Sequence, residues 1–143
     1  MDFLPILAMV ACLAGCAPKG EPLVITSIPW TEDETATYSI QTQAGETLGS
    51  ATISIISDGY TWVLTNHEVV NNMPDDIKLT VNAKDLKPLS EERTLVIPTG
   101  GSIPEGTWKI SATFSEDKLT VEADTPQGHQ GPAEFKLPED AFA

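Results

Sequence analysis

Apolar and polar residues alternate along most of this chain, starting near Thr35. The alternation is clearest in Ile77–Ala83, Trp108–Phe114 and Leu119–Ala123, where every second residue is apolar. A period of two is typical of β-strands with one buried and one exposed face. Between Thr35 and Phe135 no segment has the helical period of 3.6 residues. The pattern therefore predicts a mainly β protein.

Short polar turns separate the predicted strands. Ser57-Asp58-Gly59 is a tight hairpin signal, because glycine tolerates the positive φ that such turns need. We interpret Asn71–Asp76, Asp85–Pro88 and Pro126–Pro132 as loops or turns. About seven strands joined in this way predict an antiparallel meander, as one curved sheet or a half-barrel, whose dry face must be covered. The predicted strands are Thr35–Gln43, Leu48–Ser57, Tyr60–Val70, Ile77–Ala83, Arg93–Thr99, Trp108–Phe114 and Leu119–Asp124.

The N-terminal segment has a different pattern. Phe3–Ala14 is almost wholly apolar, which suits the hydrophobic region of an export signal and is too short to span a membrane. It ends in Leu13-Ala14-Gly15-Cys16, which resembles the lipobox of bacterial lipoproteins. The resemblance implies cleavage before Cys16, acylation of its thiol and anchorage of the protein to a bilayer outside the cytoplasm. Ala17 stands where the family's inner-membrane retention signal has Asp.

Two features depart from that pattern. Cys12 is a second candidate, although Met9-Val10-Ala11 fits the lipobox less well. The only charge before Cys16 is Asp2, whereas signals usually begin with basic residues. This suggests a start upstream of Met1, and the alternative to a signal is a buried N-terminal helix.

Processing divides the chain into a signal at 1–15, a lipidated tether at 16–30 and an antiparallel β domain at 31–143. The mature chain then has no thiol for a disulfide, a redox motif or a cysteine-ligated metal. Its net charge falls from −13 to −12 with the loss of Asp2. Such an acidic surface repels phosphate backbones, so we expect no nucleic-acid partner. Pro138–Ala143 has the signals of a helix start, which suggests that a C-terminal part is missing.

Three segments of the β region carry a further resemblance. Tyr38–Ile40, Leu48–Ile53 and Gly59–Leu64 resemble an exported bacterial domain family of unknown function, similar to the lipoprotein-carrier type of β half-barrel. Asp85–Leu89 fits that family's turn between strands, and Leu137–Asp140 matches a stretch after which its domain continues. The resemblance implies an apolar hollow that holds a hydrophobic ligand such as a lipid, and it implies no catalytic residue.

No catalytic or metal-binding constellation is apparent. His67 lies in a predicted strand and His129 in a predicted loop, and no spacing brings three metal ligands together. We interpret both histidines as exposed and structurally idle. Ser57-Asp58 and Ser115–Asp117 are interpreted as turn-capping residues. The chain lacks a Gly-x-Ser-x-Gly elbow and a phosphate-binding loop. We therefore expect no enzyme activity, no cofactor and no metal.

The aromatic residues remain as candidates for contact with an apolar ligand. In strands such residues are more often core than ligand platform. Under the half-barrel interpretation some of them line the hollow: Tyr38, Tyr60, Trp62, Trp108 and Phe114. The sequence thus predicts a non-enzymatic, membrane-anchored envelope lipoprotein that binds an apolar ligand or an envelope protein. The alternative is a structural or protein-interaction lipoprotein with no small ligand.

Overall fold

The computed structural model describes residues 30–138 and residue 141 as a single β-sheet. All seven strand pairs are antiparallel and join neighbours in sequence, and the two end strands do not meet. The predicted antiparallel meander is confirmed, as one open sheet. Its strands are β1 (Glu34–Gln41), β2 (Thr47–Ser57), β3 (Thr61–Val70), β4 (Met73–Asn82), β5 (Pro88–Ile97), β6 (Gly106–Phe114), β7 (Lys118–Thr125) and β8 (Gly128–Lys136).

The loop predicted at Asn71–Asp76 is wrong for most of its length. Asn71 and Asn72 alone form the turn, with φ angles of 51° and 63°. Asparagine is among the few residues that adopt this left-handed conformation readily. Strand β4 therefore starts at Met73 and includes Pro74.

Two other strand predictions need correction. Strand β5 begins at Pro88, five residues before the predicted start at Arg93. The predicted loop Pro126–Pro132 is largely part of an eighth strand, β8, which starts at Gly128. Strand β8 pairs with β7 through a register shift between Val121 and Ala123, so its pattern is irregular.

The hairpin predicted at Ser57-Asp58-Gly59 is confirmed. Gly59 has a φ of +88°, and the Asp58 carboxylate accepts hydrogen bonds from the N–H groups of Tyr60 and Thr61 at 2.8 and 2.7 Å. These backbone hydrogen bonds lower the pKa of Asp58 from its ordinary value, because they stabilise the charged form. The predicted turn-capping role is confirmed here and at Ser115, whose hydroxyl donates to the Lys118 carbonyl oxygen.

The buried core of the described residues is small. It consists of Trp62, Val81 and Trp108, which are 5–7 % exposed. Trp30 packs on Trp62 with ring centroids 6.0 Å apart, and the Trp108 indole N–H donates to the Pro104 carbonyl oxygen at 3.0 Å. A single sheet buries little by itself, so most of its apolar side chains stay partly exposed.

Several predictions lie outside the described residues. They are the signal segment 1–15 with Leu13, Ala14, Gly15 and Cys16, nearly all of the tether, and most of the proposed C-terminal helix start. Of that C-terminal segment, the structure describes Pro138 and Ala141, and the Ala141 N–H donates to the Pro138 carbonyl oxygen at 3.0 Å.

Candidate functional site: the apolar face and its carboxylate cluster

The register of the eight strands sorts the side chains onto two chemically different faces. Directly paired residues share a face, and successive residues alternate between faces. One face, which we call the apolar face, carries most of the aliphatic and aromatic side chains of the sheet. Its members include Tyr38, Ile53, Ile55, Trp62, Leu64, Ile77, Leu79, Val81, Leu95, Trp108, Ile110, Phe114, Leu119, Val121 and Phe135.

The apolar face is not covered by a second layer in the described part of the chain. Residues 30–138 contain no helix and no second sheet. Ile53 and Tyr38 are 40 % and 54 % exposed, and Leu64, Leu79 and Phe135 are only partly buried. A contiguous exposed apolar surface of this kind normally marks a contact with a protein, a lipid or another ligand.

An ion pair interrupts the middle of the apolar face. The Arg93 guanidinium donates to both carboxylate oxygens of Asp75, from Nε at 2.9 Å and from Nη2 at 2.5 Å. The two side chains are 39 % and 31 % exposed, so the pair is partly desolvated. A bidentate, charge-assisted pair of this kind fixes both groups in one geometry.

Two further carboxylates lie beside this ion pair on the same face. Glu68 is the direct cross-strand partner of Asp75, and Glu91 is two residues before Arg93 on β5. The Asp75 hydrogen bond, with smaller electrostatic contributions from Glu91 and Glu68, raises the pKa of Arg93, against the effect of burial. We call Glu68, Asp75, Glu91 and Arg93 the carboxylate cluster. Three acids against one base give it a net negative charge.

The amide of Asn66 adds an unpaired acceptor near the carboxylate cluster. Asn66 lies on the apolar face, two residues before Glu68 and directly opposite Ile77. Its Oδ1 atom is buried and has no hydrogen-bond donor within reach. A buried acceptor without a partner is costly, and such groups are uncommon in folded proteins. The centre of the apolar face thus has several hydrogen-bond acceptors and few hydrogen-bond donors that are not already paired.

The five aromatic residues predicted to face a ligand have different positions. Trp62 and Trp108 are buried in the apolar face, and Tyr38 lies half-exposed on the same face near its β1 edge. Phe114 pairs with Leu119 on the apolar face and is partly buried. Tyr60 precedes β3 in the turn and is 85 % exposed. The structure therefore brings four of the five onto one face and leaves Tyr60 outside the sheet.

The opposite face, which we call the polar face, carries mainly hydroxyl and charged side chains, with a few aliphatic residues such as Ile56 and Val63. Both histidines lie there, each paired with an aspartate on the adjacent strand. His67 Nδ1 contacts Asp76 Oδ1, and His129 Nδ1 lies 2.8 Å from Asp124 Oδ1. The prediction that both histidines are exposed is confirmed, with side chains 58 % and 55 % exposed. The prediction that they are idle is incomplete, because each has a carboxylate partner.

Two shallow hollows lie over the polar face. One, of about 270 Å³, includes Lys109, Glu122 and His129 in its lining, and the other, of about 230 Å³, includes His67, Lys78 and Glu92. Both are open and lined largely by paired charges. Among the described residues no three histidine, cysteine, aspartate or glutamate side chains are grouped closely enough to hold a metal ion.

These features define a single-layer antiparallel β protein with one apolar and one polar face. No helix among the described residues has the length and apolarity required to cross a bilayer. Comparisons of the chain with known protein families, curated proteins and solved structures found no match.

Proposed function

We propose that this protein is an envelope lipoprotein, anchored outside the cytoplasm through acylated Cys16, whose apolar face binds a hydrophobic ligand. The observation that supports ligand binding is the extended, partly exposed apolar face. The anchor is inferred from Leu13-Ala14-Gly15-Cys16 at the end of an apolar run. The proposed role is binding and not catalysis.

The carboxylate cluster adds a preference for the charge of that ligand. An alkyl chain lying on the apolar face would bring its polar end close to Glu68 and Glu91. Within residues 30–138 the only cation beside these two carboxylates is Arg93, which is bound to Asp75. Carboxylates in a partly apolar setting attract cations more strongly than they do in water. The proposed ligand class is therefore an amphiphile with an alkyl chain and a cationic amine.

The anchor is tested by metabolic labelling with an alkyne-tagged fatty acid in a bacterial host that processes lipoproteins. We expect label on the wild-type chain and on Cys12→Ala, and none on Cys16→Ala. Mass spectrometry of the product should give a chain that begins at Cys16. An unlabelled wild-type protein that still begins with Met1 would contradict the proposed anchor.

Ligand binding is tested with three dodecyl compounds below their micelle concentrations: the amine, the alcohol and the carboxylate. Trp62 and Trp108 lie in the apolar face, so their fluorescence reports binding there. We expect the amine to bind about tenfold more tightly than the alcohol, which corresponds to about 1.4 kcal/mol, and the carboxylate to bind most weakly.

The matched variants are Glu91→Gln and Glu92→Gln. These adjacent residues of β5 point to opposite faces, so both variants remove one charge but only the first changes the apolar face. We expect Glu91→Gln to remove most of the preference for the amine and Glu92→Gln to leave it unchanged. If none of the three compounds binds, the apolar face is covered by an envelope protein instead, and the structural role is the better account.

A further inference from the structure

The two outer edges of the sheet, which no other strand of residues 30–138 covers, differ in their capacity to pair with another strand. The β8 edge contains Pro132, which has no N–H to donate, and pairs irregularly with β7. The β1 edge contains no proline and no glycine, and its only charged residue is Glu34 at one end. Proteins usually protect an outer edge with proline, bulges or charges, and Thr35–Ser39 has none of these, because the one register shift of β1 falls between Ile40 and Gln41.

The hydrogen-bond pattern shows which backbone groups of β1 point outward. Asn71 N–H donates to the Leu48 carbonyl oxygen, which makes these two residues a hydrogen-bonded pair between β2 and β3. Such pairs alternate along an antiparallel ladder. The odd-numbered residues of β2, from Gly49 to Ser57, therefore direct their backbone N–H and C=O groups towards β1. The Ser57 N–H, for example, donates to the Asp33 carboxylate.

The partners of those β2 residues in β1 are Glu34, Ala36, Tyr38 and Ile40. The backbone groups of the intervening Thr35, Thr37 and Ser39 consequently point away from the sheet. Within residues 30–138 no strand pairs with that outer side. Three outward pairs of N–H and C=O groups, at Thr35, Thr37 and Ser39, thus form a template for one more antiparallel strand.

We infer that the β1 edge pairs with the β1 edge of a second copy of this chain. A two-fold axis through Thr37, perpendicular to the sheet, places Thr37 opposite its own copy and Thr35 opposite Ser39 of the second copy. All three outward residues then exchange hydrogen bonds. Because the axis is perpendicular to the sheet, the apolar face of one copy continues into the apolar face of the other.

Side-chain chemistry favours this arrangement over other occupants of the edge. Tyr38, which is 54 % exposed, comes opposite Ala36 of the second copy, and Glu34 comes opposite Ile40. No carboxylate of β1 faces another, despite the net charge of −13 on each chain. A head-to-tail contact between β1 and β8 would instead meet the irregular ladder at Pro132, so the assembly stops at two copies.

The inference is tested by sedimentation velocity of the full chain in a mild non-ionic detergent, over a range of protein concentrations. We expect a monomer–dimer equilibrium for the wild type. Thr37→Pro removes the outward N–H at the centre of the pairing and should leave only monomer, whereas Thr37→Val keeps that N–H and should still dimerise. Proline is tolerated on an edge strand where the N–H faces solvent.

Circular dichroism establishes whether each variant is folded. If Thr37→Pro is unfolded, Thr37→Asp decides, because it keeps the backbone donor and places two carboxylates opposite each other at the two-fold axis. Monomeric Thr37→Asp beside dimeric wild type supports the β1 edge. A wild type that is monomeric at every concentration overturns the inference, as does a dimer that survives in the folded Thr37→Pro or Thr37→Asp variant.

Discussion

Trp108→Ala should lower the free energy of unfolding by about 3–5 kcal/mol, the usual cost of removing a large buried aromatic side chain. Trp108 is 7 % exposed and is one of three side chains in the small core of the described sheet. Its removal also breaks the hydrogen bond to the Pro104 carbonyl oxygen and frees the loop that carries Pro104. With so few buried residues, the sheet has little other packing to offset the loss.

The measurement is urea unfolding followed by far-ultraviolet circular dichroism, with the midpoint and slope fitted separately. Trp108→Phe keeps most of the buried area and loses only the hydrogen bond and part of the ring, so its cost should be about 1–2 kcal/mol. Tyr60→Ala removes an aromatic ring that is 85 % exposed and should change stability by less than about 0.5 kcal/mol. Equal effects at positions 60 and 108 would contradict the placement of Trp108 in the core.

Gly49→Ala should be the most damaging single-methyl change in the sheet, with a loss of about 3 kcal/mol, at the upper end of the range for overpacking. A β-carbon at position 49 would lie 1.8 Å from the Val69 carbonyl oxygen and 2.8 Å from the Val69 carbonyl carbon. Both are backbone atoms, so no side-chain rotation relieves the clash. Strands β2 and β3 would have to separate at that point.

Amide hydrogen exchange should locate this damage. We expect Gly49→Ala to lose protection in β2 and β3 near Gly49 and Val70, while β6 to β8 keep theirs. Gly101→Ala is the matched control, because its nearest neighbour would be the Ile103 nitrogen at 3.9 Å and its backbone is not left-handed. It should change stability by less than about 0.5 kcal/mol. A Gly49→Ala variant with little loss of stability and unchanged amide exchange would contradict the close approach of β2 and β3 at Gly49.

Alternation of apolar and polar residues was sufficient to predict most of the sheet. It works where one face is consistently apolar, as in Trp108–Phe114, since each strand then carries its own signal. The prediction fails where the buried side of a strand is not consistently apolar. Strand β8 has only Ala133 and Phe135 on its apolar side, and its two glycines and one proline suggest a loop. Alternation does not predict the first half of β5, because Glu91 places a charged residue on the apolar face of that strand.

The two histidine–aspartate pairs could have been found from turn chemistry. Asn71-Asn72 is a two-residue turn, and that length makes His67 the cross-strand partner of Asp76. In the same way the turn at Pro126-Gln127 makes His129 the partner of Asp124. Interpreting both segments as loops leaves undetermined the registers that bring these side chains together.

The carboxylate cluster was beyond sequence reasoning. Asp75 and Arg93 meet because β4 and β5 pair in a register that also contains a shift at Thr80 and Val81. Nothing in the local sequence specifies that shift. In the sequence, nothing distinguishes Glu68, Glu91 or Arg93 from an ordinary surface charge. Only the register of the assembled sheet places these residues among apolar side chains.

The meander has a consequence for how this protein comes apart. The main contacts of every strand are with strands adjacent in sequence, so the order of the sheet is the order of the chain. The stabilising contacts therefore run mainly between successive strands, as in a repeat protein, and the entropy cost of closing each loop stays small. Pulled from one end, the domain should unzip hairpin by hairpin in a series of modest force steps. A sandwich or closed barrel of the same size would instead rupture in one event.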